Sequence, residues 1–169
     1  MKINIVGAFF VLGGVSAQAA SQDFIKGFKA LQSGDYAAAF KVWLPLAKQG
    51  DVDAQYNLGL MYYEGDGVDQ DDVQAFKYWR LAAIQEHQQA QYWLGIMYDF
   101  GLGIDQNNIN AYLWYTSSLL NSYQNDPNFK SHVKKQRDEI AAKMTATDIS
   151  KAQTMAKKCM SSDYKNCGW

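Results

Sequence analysis

The feature of this 169-residue chain that most restricts its fold is an internal period of 36 residues. Ala54 returns as Ala90, Leu58-Gly59 as Leu94-Gly95, and Met61-Tyr62 as Met97-Tyr98. Gly65-x-Gly67 returns as Gly101-x-Gly103, Asp69-Gln70 as Asp105-Gln106, and Ala75 as Ala111. The same step backwards joins Ala39 to Ala75, Trp43 to Trp79 and Ala47 to Ala83. A fixed period of this length is the mark of stacked supersecondary units, each too small to bury its apolar face alone.

Spacing within a unit identifies it as a helical hairpin. Ala54, Leu58, Met61 and Tyr62 share one face of a helix. Gly59 stands mid-helix, where it is unfavourable by about 1 kcal/mol relative to alanine, so a glycine repeated there points to close helix–helix approach. Gly65 and Gly67 break the helix and make the turn. Asp69, Asp71 and Asp72 then fall where a second helix begins, where carboxylates cap free N–H groups and suit the helix dipole. Ala75, Tyr78, Trp79, Ala82 and Ala83 are the apolar stripe of that second helix. Only two prolines, Pro45 and Pro127, interrupt the chain, which suits an all-α protein.

The pattern A-x-x-x-L-G-x-x-Y-x-x-G-x-G, followed by an acidic or amide residue, alanine and an aromatic residue, resembles the Sel1-like repeat, a relative of the tetratricopeptide repeat. Residues 53–88 match it nearly throughout. Residues 89–121 match with Tyr115 at the tryptophan position and Leu119 in place of the second alanine. The first hairpin, about 22–50, has a shorter connection. Its Gly34-Asp35-Tyr36-Ala37-Ala38-Ala39 is similar to the turn of a plain tetratricopeptide repeat. The resemblance implies an α/α superhelical solenoid whose first helices line a concave groove that binds protein.

On that groove the face beside the core positions carries Phe28 in the first unit, Tyr56, Leu60 and Tyr63 in the second, and Tyr92, Ile96 and Asp99 in the third. These are the expected partner-binding residues, since aromatic groups make good anchors. Packing between repeats, or against the C-terminal tail, is the competing role for each of them.

The two ends carry different signals. Lys2, the apolar run Ile5 to Val15 and Ala17-Gln18-Ala19 read as a signal peptide over residues 1–19, cleaved after Ala19. The run is well short of the roughly 20 apolar residues a bilayer span needs, so the mature chain is expected to be periplasmic and without a membrane span. In that oxidising setting Cys159 and Cys167 are expected to pair. Residues 20–121 hold the three hairpins. Residues 122–169 form a C-terminal cap: a loop over Asn121–Lys130 that includes Pro127, a helix over 131–144, and a further helix capped by Thr147. The repeats are acidic, with a balance of −6 over residues 20–123, and the tail is basic, at +4 over 124–169.

Motifs for chemistry are sparse. There is no G-x-S-x-G, H-E-x-x-H or P-loop, and the two histidines, His87 and His132, lie in different segments. Glu64, Asp66, Asp69, Asp71 and Asp72 do not have EF-hand spacing. No cofactor or metal is expected, and nucleic acid is disfavoured by the acidic repeats. Some Sel1-like proteins are linked to β-lactams. S-x-x-K occurs at Ser131–Lys134 and Ser162–Lys165 without its K-T-G partner. The sequence thus favours a protein-binding scaffold of the cell envelope over an enzyme, with a cell-wall or β-lactam-binding protein as the alternative. The partner and the oligomeric state are not encoded.

Overall fold

The computed structural model describes residues 17–121, 126–164 and 167. Among these residues all regular structure is helical. The order is α1 (Ala17–Gln32), α2 (Tyr36–Lys48), α3 (Val52–Glu64), α4 (Asp72–Ala83), α5 (Gln88–Phe100), α6 (Asn108–Leu120), α7 (Pro127–Ala141) and α8 (Ala146–Ser161). The predicted signal peptide falls on residues outside this description and on the first turn of α1. Trp169 also lies outside it.

Side chains define the helix starts. Asp35, Asp51, Asp71 and Asn107 each accept a hydrogen bond from the backbone N–H three residues on, satisfying a donor the helix cannot. His87 does the same for α5 through Nδ1, which accepts from the Ala90 N–H at 3.2 Å. It stands one period after Asp51. Gly65 and Gly101 end α3 and α5 in the left-handed conformation.

Three hairpins, α1–α2, α3–α4 and α5–α6, are closed by the same device. A methyl group built on Gly59 would lie 2.3 Å from Nε1 of Trp79. On Gly95 it would lie 2.5 Å from the Tyr115 ring, and on Gly27 2.3 Å from Nε1 of Trp43. The missing side chain is the seat for the partner helix's aromatic ring. Each indole then donates to a carbonyl one turn before its glycine: Trp79 to Tyr56 at 3.1 Å and Trp43 to Phe24 at 3.2 Å. The first hairpin keeps this seat although its connection is four residues shorter.

Stacking of one hairpin on the next uses a second device. A methyl on Gly67 would lie 2.6 Å from the Tyr36 carbonyl carbon, and one on Gly103 2.7 Å from that of Asp72. Each G-x-G turn therefore rests on the backbone at the start of the previous unit's second helix. Gln55 and Gln91 complete the joint, their amides donating to Ala47 O at 3.0 Å and Ala83 O at 3.1 Å near the C-termini of α2 and α4.

The last two helices close the array. Helix α6 is buried nearly all round, with Ala111, Tyr112, Leu113, Trp114 and Tyr115 consecutively inside, because α7 and α8 both pack on it. Val133 and Ile140 of α7 are fully buried, as are Ala152 and Cys159 of α8. The Cys159–Cys167 disulfide forms, and between its cysteines Tyr164 stacks on Trp114.

Two boundaries depart from the sequence reading. Helix α7 begins at Pro127, inside the stretch expected to be a loop, because proline fits the first helical position where no N–H is needed; Asp126 caps it by accepting from Asn128 N–H. Helix α8 is capped by Thr145, whose Oγ1 accepts from Asp148 N–H, and not by Thr147.

Candidate functional site

The face shared by α3 and α5 is an aromatic wall. Trp93 stacks on the buried Trp79 at 4.7 Å, and Tyr63 leans on both, at 5.1 Å from Trp93 and 5.6 Å from Trp79. Tyr56 stacks on His87 at 4.4 Å and hydrogen-bonds Trp93, while burial raises its phenol pKa above the usual value. Leu60 and Ile96 fill in between, and Tyr56, Leu60, Tyr63, Trp93 and Ile96 all remain partly buried, with some surface left to solvent.

The chain covers part of this wall itself. The Tyr92 hydroxyl lies 2.8 Å from His132 Nε2, and its ring meets Phe129 edge-on at 5.5 Å, both from α7. Asp99 is only 6% exposed. It accepts a long hydrogen bond from the Tyr115 hydroxyl at 3.5 Å and faces Lys143 at 3.8 Å. For Tyr92 and Asp99, packing against the C-terminal tail is the observed environment. Burial and the neighbouring Asp99 carboxylate both push the Tyr115 phenol far above its ordinary range, so it stays protonated. Phe28 stands apart on α1 and is 44% exposed, close to the similarly exposed Ile25.

Of the seven expected binding residues, then, Tyr56, Leu60, Tyr63 and Ile96 share one partly open surface, Tyr92 and Asp99 lie under the tail, and Phe28 is on the first hairpin. Trp93 and His87, both in the wall, are not singled out by the sequence. One period before Trp93 stands the polar Asn57, so the repeat gives no warning of an aromatic group there.

The geometry bears on the other chemistry too. Lys134 donates to Asp138 at 2.5 Å and Arg137 donates to it at 2.8 Å, and these charges hold the Asp138 pKa below its usual value. Ser131 sits exposed on the same open helix face. Ser162 Oγ donates to Cys159 O at 2.9 Å as part of a helix end, and Lys165 lies outside the described residues. Among the described residues no group of three or more His, Cys, Asp or Glu could hold a metal, and no helix is long and apolar enough to cross a membrane.

Helical hairpins joined by G-x-G turns and seated glycine to aromatic define an α-solenoid of the tetratricopeptide-like class. Two of the hairpins are Sel1 repeats: the Sel1 repeat model matches residues 52–87 and 88–122. Over 86% of its length the chain is similar to a protective antigen present in uropathogenic Escherichia coli strains, described as displaying an SLR fold, with a TM-score of 0.74 and 26% identity. It is also similar to a Sel1 repeat protein from Oxalobacter formigenes, over 69% of its length, with a TM-score of 0.58 and 27% identity. Among curated proteins it is 39% identical over 68 residues to an exopolysaccharide production negative regulator from Rhizobium leguminosarum bv. viciae. The matched part is 40% of this chain and 26% of that regulator; the chain covers 31% of the E. coli antigen and 88% of the Oxalobacter protein.

Proposed function

We propose that the protein is an exported scaffold that holds a segment of another cell-envelope protein against the α3–α5 wall, using Tyr56, Leu60, Tyr63 and Ile96. It acts by binding and not by catalysis. The observation that carries this reading is the wall itself: aromatic and aliphatic side chains from successive repeats, stacked rigidly but left partly uncovered. Rigid aromatic surface is the kind that supplies most of the binding energy in protein interfaces. The disulfide of the cap suits an oxidising compartment, and the signal-peptide pattern supplies the route to it. The Rhizobium relative is named for negative regulation of exopolysaccharide production, a role compatible with a scaffold in the envelope.

The test is crosslinking in living cells, purification of the tagged protein and mass spectrometry, with a Leu60→Ala/Tyr63→Ala variant run alongside. Both residues are partly buried on the wall, and neither makes a side-chain hydrogen bond described above. A protein captured by the wild type and lost from the folded variant is the expected result. Equal capture by both would remove the wall from the binding surface.

A further inference from the structure

Charge in the repeats is sorted by helix. The wall helices α3 and α5 carry Asp53, Glu64 and Asp99 and no lysine or arginine. The second helices of the first two hairpins are the reverse. Helix α2 carries Lys41 and Lys48 and no acid, and α4 carries Lys77 and Arg80 against Asp72 alone. Asp35, Asp51 and Asp71 stand at helix starts and are used there as caps. Lys77 repeats Lys41 at the period of 36. Both lysines are exposed, and helical spacing puts each on the side of its helix opposite the buried tryptophan, Trp43 or Trp79.

A second, independent observation is apolar. The outer stripe of α4 reads Val73, Lys77, Leu81 and Ile84, opposite the buried Ala75, Trp79, Ala82 and Ala83. Val73 is 45% and Leu81 42% exposed, so apolar surface lies open between the cations. A groove of about 690 Å³ runs from this stripe to the Asp163–Tyr164 turn, with Lys77, Arg80, Leu81 and Ile84 along it. Asp163 is the one carboxylate among its described lining residues. Lys157 and Lys158, both exposed, end α8 shortly before that turn. The stripe stops at the third hairpin. Leu113 and Ser117 hold the positions of Lys77 and Leu81 there, and both are buried in α6, on which the tail helices pack. Cations with exposed aliphatic side chains between them fit a surface that is anionic outside and apolar just beneath, the profile of a bilayer. A dissolved polyanion would use the cations and give Val73 and Leu81 no role.

We propose that the outer face of α2 and α4 rests on an anionic phospholipid surface. Lys41, Lys48, Lys77 and Arg80 meet the headgroups, and Val73 and Leu81 reach the boundary with the acyl chains. Attachment is peripheral, since no described helix can cross a bilayer. The opposite side of α4 is the one seated on α3, through Trp79 and Gly59, so a protein held this way keeps its aromatic wall clear of the membrane. The inference goes beyond the scaffold reading and stands without it.

The test is flotation of the purified mature protein with vesicles of equal parts phosphatidylglycerol and phosphatidylcholine, beside vesicles of phosphatidylcholine alone. The expected result is binding to the anionic vesicles only, released when salt is raised to about 1 M, where the screening length falls to about 3 Å. Each lysine or arginine near an anionic surface strengthens partition by about fivefold, so Lys41→Gln/Lys77→Gln should weaken binding by at least about tenfold. Both side chains are exposed, so the variant keeps the fold. Lys134→Gln/Lys135→Gln removes the same charge from exposed positions on α7 and should leave binding nearly unchanged. Val73→Ser/Leu81→Ser should weaken it several-fold, because apolar contact is lost while charge is kept. Equal binding to both kinds of vesicle, equal loss in the two lysine pairs, or no loss from Val73→Ser/Leu81→Ser would each overturn the assignment. Dextran sulfate bound as tightly as the anionic vesicles, and equally well by Val73→Ser/Leu81→Ser, would give the face to a soluble polyanion in place of a membrane.

Discussion

Replacing Gly59 with alanine should destabilise the protein, although an exposed helical glycine replaced by alanine normally gains about 1 kcal/mol. The new methyl carbon would lie 2.3 Å from Nε1, 2.4 Å from Cδ1 and 2.8 Å from Cε2 of Trp79. Comfortable carbon contacts are about 3.5–4.0 Å, so the ring or the helix must withdraw by more than about an ångström. Trp79 has nowhere to go: it is fully buried and stacked on Trp93. Moving it also breaks its hydrogen bond to Tyr56 O. Overpacking of this kind costs about 1–3 kcal/mol, and a buried donor left without a partner adds roughly 1–3 kcal/mol. Set against the helix-propensity gain, the net loss is about 3 kcal/mol, or a fall in Tm of roughly 6–12 °C for a chain of this size. Urea and thermal unfolding followed by circular dichroism and tryptophan fluorescence would measure it. The same substitution made in a Trp79→Leu background should be neutral or mildly stabilising, because the ring it collides with is gone. A Gly59→Ala variant more stable than the wild type, or an equal loss in the Trp79→Leu background, would refute the seat.

Gly67→Ala should cost more than Gly34→Ala. Both glycines have positive φ, 73° and 79°, but only the Gly67 methyl would strike backbone, that of Tyr36; chemical denaturation of the two variants compares them directly, and equal losses would mean that the inter-repeat contact contributes nothing. The pKa of His87, lowered by burial, makes the unfolded chain take up a proton before the folded one as pH falls through about 6.5. Stability from this residue is therefore complete above that pH and is lost as pH falls from there through the lower pKa of the folded state. The drop in Tm between pH 7.5 and pH 5.0 should be smaller in His87→Asn, which keeps a capping side chain but does not titrate, and an unchanged drop would exclude His87 as its source. Reducing the Cys159–Cys167 bridge, which spans 8 residues, should lower stability by at most about 2.5 kcal/mol and leave most helical circular dichroism in place; collapse of the helical signal would mean that the repeats depend on the tail. The purified mature protein should have Ala20 as its first residue by mass spectrometry, and an intact Met1 would refute export by cleavage.

Much of the hairpin architecture is legible in the sequence because the period copies physical constraints and not just residue types. Gly59 and Trp79 recur as Gly95 and Tyr115 because each pair is one contact. The first hairpin hides the same pair, Gly27 and Trp43, since its connection is shorter and breaks the period between them. The cap of α5 is also hidden: histidine replaces aspartate at the position of Asp51, and only the structure shows Nδ1 accepting the same bond. The start of α7 escapes a reading that treats proline as a breaker, whereas at a first helical position it is accommodated. Helix α6 does carry a signal in Ala111 to Tyr115, an unbroken apolar run that marks a helix enclosed on all sides. The wall is half legible. Residue type and spacing locate Tyr56, Leu60, Tyr63 and Ile96, but which aromatic groups the tail covers depends on how α7 lies, and nothing in the period of the repeats specifies that.

The core is not a single body. Ala39, Trp43, Leu46, Ala47, Ala54, Leu58 and Met61 form one cluster, and the residues from Ala75 to Cys167 form another. Helix α3 belongs to both: Ala54, Leu58 and Met61 are in the first cluster, and Tyr56, Leu60 and Tyr63 pack against the second. Cooperative opening follows shared buried contacts more closely than sequence units. Helices α1 and α2 can therefore exchange their amide hydrogens as one group while α4 to α8 stay closed, with α3 held by its contacts to α4. Both sides of the wall then stay in place when α1 and α2 loosen, so a partner bound on the wall would leave exchange in α1 and α2 largely unchanged.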